Sequence, residues 1–460
     1  MSDTIVTTNP ATGKVIKEYK QHTDDQVTDT IRNCHEAFLE WRFKSFDERG
    51  AVLKKIGEKL RERKSELAQL MTQEMGKLIK QSHQEVKLCA GICDYTASSA
   101  PEYLQDEQRE LPNGGRGLIT YSPIGVVYGI QPWNYPAYQV IRYAIANLMA
   151  GNGVLLKHAE NVTGCGEKIK EIFEEAGLPK HLFSTLLISH DQSDAVIKND
   201  LVRGVTLTGS PKAGEHVGKL AAEQLKKTVL ELGSNDAYIV LADADLDIAV
   251  DACVKGRIYN NGETCIAAKR FIVVEEVYDD FKEAFVKAMK NIKHGDPTSD
   301  GVDIGPMARE DLRDGLHEQV INSVANGAVI LCGGTKPTGD GYFYPATVLE
   351  NVTPGQPAYD DELFGPVASL IKAKDADDAM LIANDSRFGL GGGIFSKNED
   401  AAFELASKHF DTGMVFINSF GLAQPNMPFG GVKRSGYGRE HGGFGVREFV
   451  NAKAIMRLQN

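Results

Sequence analysis

Three side chains in this 460-residue chain have the types and settings needed for covalent chemistry at a carbonyl carbon. Cys265 sits in Asn260-Asn261-Gly262-Glu263-Thr264-Cys265-Ile266-Ala267-Ala268, where glycine and small residues leave room for a substrate carbon beside a thiol. A thiolate is a strong nucleophile, although most free cysteines are simply small buried hydrophobes. Glu231, in Val229-Leu230-Glu231-Leu232-Gly233, is an acid inside an apolar strand end. Desolvation there raises a carboxyl toward the range of a general base, and the competing reading is a paired structural carboxylate. Asn134, in Pro132-Trp133-Asn134-Tyr135-Pro136, carries an amide donor on a rigid turn, as an oxyanion site requires, though asparagine beside proline is by default a turn residue.

Two further segments suit a phosphate-bearing ligand. Thr208-Gly209-Ser210-Pro211-Lys212-Ala213-Gly214 follows a predicted strand and opens a predicted helix, so free N–H groups and the helix dipole can receive a phosphate. Its glycine spacing is not the three-glycine dinucleotide fingerprint, and such turns also arise for steric reasons alone. Lys157-His158-Ala159-Glu160 ends another predicted strand, where a cation and a carboxylate could hold a ribose. Glu160 accepting from a 2′-hydroxyl favours NAD over NADP, because a 2′-phosphate would meet like charge; a solvated ion pair is the plain alternative.

The elements that must carry these residues are legible in the hydrophobic pattern. From Asp25 to about Tyr103 apolar residues recur at helical spacing, as in Val27, Ile31, Cys34, Phe38 and Trp41. A polar, Gly-rich stretch at Leu111-Pro112-Asn113-Gly114-Gly115 precedes an alternating run, Gly117 to Tyr121, that reads as a strand of an exposed hairpin. From Gly125 onward short aliphatic runs alternate with helix-length segments: Gly125 to Gln131, Val154 to Lys157, Val205 to Thr208, Val229 to Leu232 and Tyr238 to Leu241. A second series follows Cys265, with strands at Phe271 to Val274, Val329 to Leu331, Ser369 to Ile371 and Met414 to Ile417, and a helix over Asp279 to Ile292. Alternation of this kind predicts an α/β fold with parallel sheets, in two domains joined near Glu231.

Composition sets the outer bounds. A length of 460 residues suggests two or three domains, and 42% apolar with 25% charged residues is the balance of a globular protein. A net charge of −12 without a dense Lys/Arg cluster argues against nucleic acid or an anionic membrane as partner. The amino terminus lacks a signal-like apolar core and no segment reaches the roughly 20 apolar residues of a span, which places the protein in the cytoplasm. Seven scattered cysteines suit reduced thiols, and Cys89 with Cys93 on one helix face lacks the further ligands of a metal site.

Taken together the motifs resemble the aldehyde dehydrogenase superfamily, in order from Asn9-Pro10-Ala11-Thr12-Gly13 to Pro428-Phe429-Gly430-Gly431-Val432-Lys433-Arg434-Ser435-Gly436. Between lie Pro-Trp-Asn, Lys-x-x-Glu, Gly-Ser with a glycine four residues after the serine, Glu-Leu-Gly, Gly-x-x-Cys and Glu362-Leu363-Phe364-Gly365-Pro366. The resemblance implies that Cys265 attacks an aldehyde, that Asn134 and the Cys265 N–H hold the oxyanion, and that Glu231 activates the water that hydrolyses the thioester. It implies an NAD or NADP cofactor held by Trp133, Lys157, Glu160, Gly209, Ser210, Leu232, Glu362 and Phe364. It also implies a Rossmann-like cofactor domain (1–111 and 130–232), a catalytic domain (233–447) and a small β arm (112–129 and 448–460) that makes a homodimer or homotetramer.

Two departures stand out, Glu263 where the family usually has Gln and Ser234 where a second glycine usually follows Glu-Leu-Gly. An ionised Glu263 close to Cys265 is expected to raise the thiol pKa. Leu156-Lys157-His158-Ala159, Leu230 to Asp236 and Gly305-Pro306-Met307-Ala308-Arg309 are similar to the shorter bacterial succinate-semialdehyde dehydrogenases. Arg142, eight residues after Asn134, matches an arginine that such enzymes use for the substrate carboxylate. A second arginine of some relatives is Tyr259 here, and Ala423 falls near their pocket serine. Glutarate semialdehyde or another small aldehyde remains open as substrate, as do a cofactor-binding role without catalysis and a thiol esterase.

Overall fold

A computed structural model describes residues 4–458; residues 1–3 and 459–460, at the outer ends of the expected cofactor domain and arm, lie outside it. The chain begins with a polar antiparallel hairpin, Thr4–Asn9 and Lys14–Lys20. Four helices follow, Asp24–Trp41, Phe46–Glu62, Lys64–Met75 and Ile79–Leu104. Thr23 and Ser45 start the first two with reciprocal side-chain caps to Gln26 and Glu48, which satisfy backbone N–H groups that a helix start leaves free. The apolar stripe Val27, Ile31, Cys34, Phe38 and Trp41 is buried, as its spacing requires.

The first sheet has six strands in the spatial order Gly436–Tyr437, Lys227–Glu231, Val202–Thr208, Val126–Gln131, Gly153–His158 and Phe183–Thr185. All but the first-named edge strand run parallel. Helices cover both faces, so its strands read as continuous apolar runs rather than alternating ones. The second sheet has seven strands, in the order Val329–Cys332, Thr347–Glu350, Val367–Ala373, Arg270–Val274, Ala237–Val240, Gly392–Phe395 and Phe416–Ile417. Only Val329–Cys332 pairs antiparallel there. The molecule is thus a mixed α/β protein with parallel sheets, as the alternating pattern indicated.

A third, antiparallel sheet joins Val450–Arg457, Arg116–Pro123 and Glu107–Glu110. Val126–Gln131 is not part of this arm; it is a central strand of the six-stranded sheet, so the expected boundary at residue 129 falls inside a strand. The break occurs instead at Pro123-Ile124-Gly125, where Gly125 takes a φ of 138° that turns the chain from arm to sheet. Two apolar runs separated by so few residues look continuous in sequence.

Two local features position the site. The helix Tyr138–Ala150 is buried on nearly every side, and the ring of Tyr143 fills the space above Gly129, where a Cβ would lie 2.2 Å from a ring carbon. The edge strand Gly436–Tyr437 returns from the second domain and pairs Gly436 with Glu231. A Cβ at Gly436 would lie 1.9 Å from the Leu230 carbonyl oxygen, so only glycine permits that closure.

Candidate active site

Cys265 lies on a turn shaped by three successive left-handed residues, Asn260 (φ 54°), Asn261 (φ 59°) and Gly262 (φ 77°). Asparagine tolerates that region because its short amide can bond locally, and here both amides donate to carbonyls that hold the turn. Asn260 Nδ2 donates to the Asn134 and Glu263 carbonyls at 2.9 and 3.0 Å. Asn261 Nδ2 donates to the Gly76 and Pro306 carbonyls, and its Oδ1 accepts from the Gly305 N–H at 2.7 Å. Asn134 Nδ2 donates to the Glu263 carbonyl at 3.2 Å, which brings the predicted oxyanion donor against the turn that carries Cys265.

The expected cofactor residues fall at the carboxyl ends of adjacent strands. Trp133 and Asn134 follow Val126–Gln131, Lys157 and Glu160 close Gly153–His158, and Gly209 and Ser210 follow Val202–Thr208. From Val126–Gln131 the chain builds outward to one edge of the sheet, then returns to place Val202–Thr208 on the other side of it. That reversal is a topological switch point, where open α/β sheets bind dinucleotides. Ser210 caps the helix Pro211–Glu223 through the Ala213 N–H, and Gly209 has open space, with a Cβ there meeting only Leu207 at 3.6 Å or more. A helix start with such access suits a phosphate. Lys157 and Glu160 line one cleft of about 530 Å³. Burial lowers the proton affinity of Lys157, with Glu160 opposing that effect. The residues present therefore fit a nicotinamide dinucleotide.

Across the crevice Phe364 meets Trp133 edge to face at 5.7 Å between ring centroids. Glu362 packs against Gly233, where a Cβ would lie 2.6 Å from Oε2, and its Oε1 pairs with Lys269 Nζ at 3.1 Å. Leu232 is buried and fills the space above Gly214 of the phosphate-end helix.

Cys265 and Arg142 share one narrow pocket, walled by Leu88, Tyr135, Tyr138, Ile266, Leu422 and Phe429. Ala423 also lines it, whereas the Tyr259 hydroxyl turns away to Gln84. Arg142 forms a buried ion pair with Glu440 and donates through Nη2 to Thr208 Oγ1 at 3.0 Å. Burial works against its charge, but Glu440, Tyr138 and Glu231 outweigh it and hold the guanidinium above its ordinary range. Glu231 is 1% exposed, and neither carboxylate oxygen has a hydrogen-bond partner among the described residues. Burial pushes its carboxyl well above the usual range; Glu440 pushes the same way, and Arg142 and Arg439 oppose. The Cys265 thiol is likewise pushed up to about 12 by burial, with Lys269 and Arg142 opposing and Glu362 and Asp236 adding to the rise.

Glu263 behaves differently from its expected role. Its side chain points away from the thiol, accepts the Ala308 N–H at 3.0 Å through Oε1, and is driven by burial well above the carboxylate range, toward the neutral form. Desolvation of Cys265, rather than a Glu263 charge, raises the thiol. Glu440 and Lys269 escaped the sequence reading. Glu440 lies in a Gly-rich loop without periodic signal, while Lys269-Arg270 inside the run Ile266 to Val274 is a pair of cations where an apolar strand begins.

Comparison with known proteins bears on the whole chain. The model of the aldehyde dehydrogenase family matches residues 1–455. A succinate semialdehyde dehydrogenase [NAD(P)+] of Escherichia coli is 44% identical over 452 residues, 98% of this chain and 97% of that protein. A succinate-semialdehyde dehydrogenase [NADP(+)] of Mycobacterium leprae is 43% identical, covering 98% and 99%. Among solved structures, the succinic semialdehyde dehydrogenase of Streptococcus pyogenes in complex with NADP+ superposes with a TM-score of 0.96 at 37% identity, over 99% of this chain and 100% of that one. With a family model matched over residues 1–455 and relatives matched nearly end to end, the chain belongs to the aldehyde dehydrogenase family.

Proposed function

We propose that this NAD(P)-dependent aldehyde dehydrogenase oxidises succinate semialdehyde to succinate. The observation that carries the substrate is that, among the described residues, Arg142 is the one charged side chain lining the pocket that holds Cys265. An aldehyde with a carboxylate at its far end places that anion on the guanidinium while the carbonyl carbon meets the thiol. Glu440 and Thr208 engage two of the five N–H donors of Arg142, which leaves others for a substrate.

Cys265 adds to the aldehyde to give a thiohemiacetal, whose oxyanion accepts from an Asn134 N–H and the Cys265 backbone N–H. When bound, the oxidised nicotinamide supplies the hydride acceptor. Glu231, in its ionised form, takes a proton from the water that attacks the resulting thioester, and the carboxylic acid leaves. Lys157 and Glu160 would hold the adenine-side ribose, Gly209 and Ser210 the pyrophosphate, and Trp133, Leu232, Glu362 and Phe364 the nicotinamide end. Glu160 favours NAD over NADP through its charge. Residues 107–123 and 450–457 form an edge that pairs with a second copy, giving a homodimer or homotetramer.

The test is steady-state NADH and NADPH formation with succinate semialdehyde, glutarate semialdehyde and butanal, beside Cys265→Ala and Glu160→Gln. The expected result is highest kcat/KM on succinate semialdehyde with NAD, no turnover by Cys265→Ala, and a Glu160→Gln variant shifted toward NADP. Equal turnover of butanal removes the succinate semialdehyde assignment.

A further inference from the structure

Lys269 is 1% exposed, stands four residues after Cys265, and has no part in the chemistry above. Its ammonium reaches back to donate to the carbonyl oxygens of Thr264, at 3.2 Å, and Cys265, and it pairs with Glu362 Oε1 at 3.1 Å. A buried ammonium needs its three N–H donors met. Here the carbonyl oxygens of the Cys265 turn accept from it, and its charge is balanced by the one carboxylate of Glu362.

The charged groups around the thiol are few. Lys269 and Arg142 favour its ionised form, Glu362 and Asp236 oppose it, and the hydroxyls of Tyr135 and Tyr138 also face it. Behind the two carboxylates stands the buried Arg257. Lys269 ranks first among the groups that offset the burial of Cys265.

We propose that Lys269 is a positioning residue that fixes the Thr264–Cys265 turn and holds the thiolate, with Glu362 as the competing anion. Whatever draws Glu362 away leaves more of the ammonium's field to the sulfur. The inference rests on the reading of Cys265 as nucleophile and Glu362 as a cofactor contact, and it makes the pairing of Lys269 and Glu362 a coupling between cofactor site and thiol.

The experiment follows alkylation of the ligand-free, full-length chain by iodoacetamide from about pH 6 to 10, the range that brackets ordinary thiols. Labelling of the Cys265 peptide is read by mass spectrometry. The forms compared are the unaltered chain, Lys269→Gln, Glu362→Gln and the double variant. Lys269→Gln should slow labelling about tenfold, equivalent to moving the profile up about one pH unit, and Glu362→Gln should move it down. Because Lys269→Gln leaves Glu362 buried without its cation, the double variant decides where the single one fails to fold. Its profile should lie above that of Glu362→Gln. Superposition of those two profiles, or movement of both single variants in the same direction, overturns the proposal. The underlying reading fails separately, if Cys265→Ala still oxidises aldehyde.

Discussion

Arg142 is not a free cation waiting for an anion, because Glu440 already balances its charge inside the protein. Replacing it therefore has two consequences that can be measured apart. Arg142→Gln should raise KM for succinate semialdehyde about a hundredfold, with little change for butanal, as expected for loss of a charge-assisted contact of about 3 kcal/mol. It should also destabilise the fold by about 3–5 kcal/mol, since Glu440 is left as an unpaired buried charge. The double variant Arg142→Gln/Glu440→Gln should recover much of the stability in denaturant melts but none of the affinity. A second prediction concerns protons. In the proposed mechanism Cys265 and Glu231 each lose one, and both are raised in the folded state, so kcat/KM should climb with pH from neutral well into the alkaline range. Glu263→Gln should leave that limb in place. It should nevertheless stabilise the protein by about 1–2 kcal/mol at neutral pH. A carboxyl whose folded pKa lies above its unfolded value loses stability as pH rises from about 4.3 toward the folded value, and the amide has no such loss.

The turn that carries Cys265 is held by side-chain amides rather than by regular hydrogen bonding. Asn261→Ala removes three buried hydrogen bonds, each contributing about 1 kcal/mol, and puts a residue with a Cβ but no amide in the left-handed region, at about 1–2 kcal/mol more. The expected outcome is a loss of about 4 kcal/mol by chemical denaturation and a fall in kcat larger than the change in KM. None of that architecture could be read from Asn260-Asn261-Gly262 beyond a turn. The elements themselves were legible in proportion to their burial. Strands buried on both faces, such as Gly153–His158, announced themselves as apolar runs. The hairpin strand Lys14–Lys20 and the arm strand Glu107–Glu110 did not, because their residues are exposed and charged. The two-residue strand Gly436–Tyr437 carries no periodicity at all. The proposed site shows the same division: Cys265, Glu231 and Asn134 stand in local settings that single them out as candidates, whereas Glu440 enters only because the fold brings it to Arg142 from 298 positions away, the difference between 440 and 142.

The arm exposes three large apolar residues within four positions. Ile455 and Met456, on the strand Val450–Arg457, are 50% and 64% exposed, and Leu458 just beyond is 70% exposed. On a strand with one unpaired edge, such residues are where the proposed assembly of copies is tested. Substituting lysine for both Ile455 and Met456 should convert the assembled protein to single chains by sedimentation velocity, and lower its thermal midpoint, while leaving residues 265 and 231 untouched.

The strand Gly436–Tyr437 also has a consequence in time. Glu231 is made well before the segment that seals it, Gly430 to Glu440, which begins 199 residues later, the difference between 430 and 231. At about 5–20 residues per second, the two are separated by about ten to forty seconds on the ribosome. A nascent chain therefore carries its Glu231 carboxylate long before the segment that closes over it exists. The seal over Glu231 is thus set late, by a segment made well after the strand that it closes.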